Sequence, residues 1–162
     1  MRRQVWWTGA AFVEPPSVAE APDVVSMTRS WWHEQGLLDP AGQIAALGWE
    51  VRTRTLGAAA GELQALLMPV TTGGFVFVVD PDPTPEQEAA GADASVVRSW
   101  RIAHEYAHTF FYVRDRVPWR ARRHGHVEEL FCDAYANALL GTALTSIPKP
   151  DSHLSLTSHG WS

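Results

Sequence analysis

The string Ile102-Ala103-His104-Glu105-Tyr106-Ala107-His108 constrains this chain more than any other feature. Two histidines four apart share a helical face, so a helix lets both imidazoles converge on one ion. Glu105 then projects beside them, toward a water on that ion. The H-E-x-x-H spacing therefore predicts a helix carrying two nitrogen ligands and a carboxylate base. Zinc suits such a site, because it takes neutral nitrogen or anionic ligands in a tetrahedral array and a catalytic centre keeps one position open.

A third ligand is expected on another element. The last predicted helix, from about Val127 to Leu140 with Gly141 as its stop, begins Glu128-Glu129-Leu130-Phe131-Cys132-Asp133. Glu129 and Asp133 are four apart on one face. Glu129 can bind the metal while Asp133 accepts the outer N–H of a ligand histidine and fixes its tautomer. Glu128, His124 and His126 are the other candidates for the third position. The plain alternative for Glu128 and Glu129 is favourable charge at a helix N-terminus.

The rest of the chain reads as an α+β fold. Residues 1–21 look like an extended arm. Pro22 and Asp23 open a helix from about 22 to 36, with Val24, Val25, Thr28, Trp31, Trp32 and Gln35 at helical spacing. Three strands follow, at Trp49–Leu56, Leu63–Val70 and Phe75–Asp80. The short turn Thr72-Gly73-Gly74 joins the last two, which predicts a small, mostly antiparallel sheet packed against the motif helix and the C-terminal helix. After a loop over 81–92, Asp93 or Ser95 caps the motif helix, which should run to about Val113. One domain over 1–147 and a loosely held tail over 148–162 are expected.

Composition excludes several classes. A hydrophobic content of 46% in 162 residues is that of a folding chain, not a disordered one. A formal charge of -5 argues against a general nucleic-acid binder. The local exception, Arg114, Arg116, Arg120, Arg122 and Arg123, reads as a solvated loop, with a site for an acidic substrate or partner as the alternative. The pairs Trp6-Trp7 and Trp31-Trp32 read as core anchors, with an apolar partner-binding surface as the alternative. The single Cys132 allows no intrachain disulfide, which fits a reducing cytoplasm. The apolar run Val5–Val13 is short and broken by Thr8 and Gly9, unlike a signal peptide. No apolar stretch has the length of a membrane span, so a cytoplasmic protein is expected.

With these motifs on the page, the stretch from about 74 to 140 resembles the ImmA/IrrE family of zinc metallo-endopeptidases, within the wider gluzincin group. The family pattern is an Arg-containing helix with H-E-x-x-H, then E-x-x-A-x-x-F-A-x-x-L-L. The segment Arg98 to His108 matches the first part, and Glu129 to Leu140 the second, with Cys132 for Ala and Tyr135 for Phe. The resemblance implies a zincin-like fold, one Zn2+ held by His104, His108 and Glu129, Glu105 as general base, and a peptide or protein substrate. Many relatives carry, or are encoded beside, a helix-turn-helix repressor that they cleave, so a regulator is one candidate substrate. No such module reads in this sequence, and Gly141 stands where the family has Pro.

In the zincin arrangement the strand before the motif helix borders the cleft, which makes Phe75–Val79 the candidate edge strand for an extended peptide. A buried core strand is the equal alternative. Tyr112, His124, His126, His153 and His159 are candidates to stabilise an oxyanion. Two other functions stay open: a small biosynthetic metalloenzyme acting on a small molecule or modified peptide, and a sensor or partner-binding module with a non-catalytic zinc.

Overall fold

The computed structural model describes residues 16–71, 73–113, 120–121 and 125–146. Among the described residues the fold is α+β, with five α-helices, a three-stranded mixed sheet and a two-stranded sheet. A 3-10 turn at Val18–Glu20 leads into α1 (Ala21–Glu34), where the extended arm was expected still to run. A short helix α2 (Pro40–Ala46) follows, capped by Asp39, whose side chain accepts from Gly42 N at 2.8 Å.

The sheet comprises β1 (Glu50–Thr53), β2 (Ala65–Pro69) and β3 (Phe75–Val79), in the order β1-β3-β2. The β2–β3 hairpin is antiparallel, as its glycine turn requires, but β1 runs parallel to β3, so the sheet is mixed rather than mostly antiparallel. Asp80 explains the difference. Its carboxylate accepts the N–H groups of Leu56, Gly57 and Ala58 at 2.6–3.1 Å. The chain leaving β1 is therefore folded around the end of β3 before it turns back into β2.

Of the two readings of Phe75–Val79, the buried core strand holds and the edge strand does not, because β3 is central in the sheet. Its unbroken run Phe-Val-Phe-Val-Val is what a strand covered on both faces needs; Phe75, Phe77 and Val79 are fully buried and Val78 nearly so. The edge strand packed against the motif helix is β2, while β1 on the other edge meets α2. The expected loop over 81–92 contains α3 (Pro85–Ala89), opened by a reciprocal cap between Thr84 and Gln87.

The motif helix, α4 (Ala94–His108), starts at Asp93, which caps Ser95 N. It stops at His108 instead of Val113. A 3-10 turn (Thr109–Phe111) follows, then β4 (Tyr112–Val113), which pairs antiparallel with β5 (Arg120–Ala121). The last helix, α5 (His126–Leu140), ends on Gly141 in the left-handed conformation at φ 68°. One buried cluster joins α1, α2, the sheet, α4 and α5, with Trp32, Trp100, Tyr106, Phe77 and Phe131 at its centre. Of the tryptophan pairs, Trp32 is a core residue and Trp31 packs against it, while Trp6 and Trp7 lie outside the described residues. No helix among the described residues is long and apolar enough to cross a membrane.

Candidate metal centre

Helices α4 and α5 pack along each other, and each presents a stripe of polar groups at four-residue spacing. On α4 these are Trp100, His104 and His108; on α5 they are Asn137, Asp133 and Glu129. The stripes meet in antiparallel order. Trp100 Nε1 donates to Asn137 Oδ1 at 2.8 Å, His104 Nδ1 lies 2.9 Å from Asp133 Oδ1, and His108 Nε2 lies 2.8 Å from Glu129 Oε2.

The three groups that meet at the end of this seam form a cluster able to hold a metal ion, with ligand atoms all within 4.8 Å of one another. His104 Nε2 is 3.1 Å from His108 Nε2 and 3.3 Å from Glu129 Oε1. Ligand atoms about 2.0–2.1 Å from a tetrahedral zinc lie roughly 3.3 Å from one another, so the donor set fits that ion in chemistry and in spacing. Glu105 faces the same point, its Oε2 3.7 Å from His104 Nε2.

Both imidazoles have a carboxylate behind them. Glu128 Oε2 takes His108 Nδ1 at 2.5 Å, and Asp133 stands behind His104. The Asp133 contact is short but off the N–H direction, since His104 Nδ1 has no well-aligned hydrogen-bond partner. The sequence placed Asp133 in this role; Glu128 it offered as an alternative ligand or as helix-end charge, and the helix rotation between neighbours instead turns Glu128 toward the far nitrogen of His108.

Four carboxylates around two imidazoles make this a place for positive charge. Burial disfavours a charged His104, but Asp133, Glu129 and Glu105 outweigh it and raise the imidazole to about 9. Burial likewise opposes a charged His108, and Cys132, Glu128 and Glu129 raise it well above its usual value. Glu129 is held well below the ordinary carboxylate range: its burial works the other way, but the two histidines prevail. Burial pushes the Cys132 thiol up to about 12, so it offers no thiolate ligand.

A cavity of about 600 Å³ opens over the cluster, walled by the segment Gly61–Ala65 on one side and by Trp100, Arg101, His104, Glu105, Glu129 and Ser146 on the other. Trp100 also stacks on the His104 ring, with centroids 5.2 Å apart and planes at 24°. Arg101 is buried and fixes the cavity wall: its guanidinium donates to the carbonyls of Asp80 and Asp82 at 2.7 and 2.6 Å and to Gln87 Oε1 at 3.0 Å. Its Nε reaches Gln64 Oε1 at 3.3 Å. A compartment of about 330 Å³ adjoins this cavity past Gly61, Gln64 and Ser146, toward Thr84–Gln87 and Leu144.

Other sequence candidates fall elsewhere. Tyr112 packs edge-on against Phe75 at 4.9 Å, and His126 is exposed at the start of α5. His124, His153, His159 and the tail 148–162 lie outside the described residues, as does the basic stretch apart from Arg120 in β5. Ser146 and Arg101 were assigned no role from sequence. Arg101 carried a signal, a cation on the buried face of an amphipathic helix; Ser146 carried none. Compared with protein-family models, with curated proteins and with solved structures, the chain matches none.

Proposed function

We propose that this chain is a zinc-dependent metallopeptidase of the ImmA/IrrE type, with a zincin-like fold and one Zn2+ held by His104, His108 and Glu129. The observation that carries this reading is the convergence of two Nε2 atoms and one carboxylate within tetrahedral ligand spacing, with Glu105 beside them on the wall of a cavity. A zinc ion bound there supplies Lewis acidity to a water and to the scissile carbonyl. Glu105 takes the proton of the attacking water and returns it to the leaving amine. Glu128 holds the His108 imidazole by its outer nitrogen, and Asp133 sets a negative charge 2.9 Å behind the outer nitrogen of His104.

A peptide or protein substrate is favoured by the shape of the cleft. The cavity over the cluster and the second compartment share Gly61, Gln64 and Ser146 in their walls, and the first cavity is also lined by Ala65, the first residue of the edge strand β2. An extended chain can add to that edge by backbone hydrogen bonds while its side chains occupy the compartments. The biosynthetic reading draws on the aromatic wall that Trp100 contributes. The test compares zinc-loaded wild type with Glu105→Gln on cell extract, reading new peptide termini and altered metabolites by mass spectrometry. New termini made by the wild type alone support the peptidase. An altered metabolite without new termini transfers the reading to a small substrate, and a product set made equally by both proteins removes Glu105 as the base.

A further inference from the structure

The segment after α5 is held against the metal cavity from two sides. Asn137 Oδ1 accepts from Thr142 Oγ1 at 2.8 Å and Leu144 N at 2.9 Å as well as from Trp100, and its amide donates to Leu144 O at 2.8 Å. This clamp delivers the next two residues onto Asp133. Ser146 Oγ donates to Asp133 Oδ1 at 2.7 Å, while Thr145 Oγ1 and Ser146 N each reach Oδ2 at 3.1 Å. Asp133 Oδ1 is the same oxygen that faces His104 Nδ1. Ser146 Oγ is also 3.4 Å from Glu129 Oε1, and Ser146 forms part of the wall shared by the two compartments.

A carboxylate whose two oxygens are held on different sides cannot turn about its terminal bond, so it keeps one fixed orientation toward the imidazole behind the ion. We propose that Ser146 is a positioning residue of the metal centre: through Asp133 it orients His104 and so sets the affinity of the His104–His108–Glu129 group for a divalent cation. The inference rests on the metal-binding part of the reading above, not on the reaction.

The test uses the full chain, with zinc and Co2+ as probes in competition against a chromogenic chelator. Ser146→Ala keeps the Ser146 N and Thr145 contacts, so the loop stays in place, and it should weaken zinc binding about three- to tenfold, less than the roughly 10- to 100-fold expected for loss of the carboxylate itself. Ser146→Thr restores the hydroxyl and should bring affinity back to within about twofold of wild type. In an Asp133→Ala background the Ser146→Ala change should add less than about twofold, because its effect runs through the missing carboxylate. The visible bands of the Co2+ form should also shift in Ser146→Ala, which loss of general stability would not cause. The inference is overturned by wild-type affinity in Ser146→Ala, by Ser146→Thr behaving as Ser146→Ala, or by an undiminished effect in the Asp133→Ala background. A wild type that binds neither ion overturns the metal reading itself, an outcome distinct from all three.

Discussion

Asp133 Oδ1 stands 2.9 Å from His104 Nδ1, although the two residues lie on different helices and twenty-nine positions apart. The contact makes a carboxylate behind one imidazole part of the proposed metal centre. Asp133→Ala should weaken zinc affinity about 10- to 100-fold and leave the fold intact. Chelator competition measures it; unchanged affinity would reduce Asp133 to an ordinary helix residue.

Metal analysis of purified protein should give about one zinc per chain, lost in the His104→Ala, His108→Ala double variant and in Glu129→Ala. Full zinc content in the double variant would locate the metal elsewhere.

Glu105→Gln keeps size and polarity but removes basicity. Turnover should drop by about 10²- to 10⁴-fold, with zinc content and melting temperature near those of wild type. A parallel loss of metal would instead make Glu105 a ligand.

The raised His104 value fixes the sign of a pH effect. In chelator-treated protein the group titrates at about 9 when folded against 6.5 as a free side chain. Its contribution to stability is thus fully present below about 6.5 and is lost as pH rises through about 9. Zinc must displace that proton, so its affinity rises across the same interval. Melting curves from pH 6 to 10 should show the chelated form falling and the gain from zinc growing. A gain that shrinks with pH would contradict the raised value.

Arg101→Met should cost about 2–4 kcal/mol, because the carbonyls of Asp80 and Asp82 and the Gln87 side chain lose a buried charged donor together. Denaturant midpoints measure it, and a change under about 0.5 kcal/mol would mean that water replaces the guanidinium.

What the sequence made legible follows the four-residue period. His104 and His108 on one helix, and Glu129 and Asp133 on the other, announce a shared face, and Asp93 and Gly141 mark where those helices begin and end. Two short helices were overlooked although their signals were present: Asp39-Pro40 opening α2, and the Thr84-x-x-Gln87 cap with Pro85 opening α3. The parallel pairing of β1 was not legible at all. It depends on Asp80 gathering three N–H groups more than twenty residues upstream, and nothing local to either strand encodes that. Ser146 escaped for the same reason: a serine near the end of the chain belongs to no motif, and its place is given by Asn137 and Asp133.

Among the described residues no strand pairs with the outer side of β2, and Leu66 and Met68 are exposed along it. An open ladder flanked by apolar side chains is a template for any extended segment, including one from another copy of the same chain. Pro69 at its end offers no N–H and limits how far such a ladder can grow. The protein's colloidal behaviour is therefore expected to be tied to its cleft: self-association at high concentration should begin at the edge beside this cavity, and a ligand lying along that edge should oppose it.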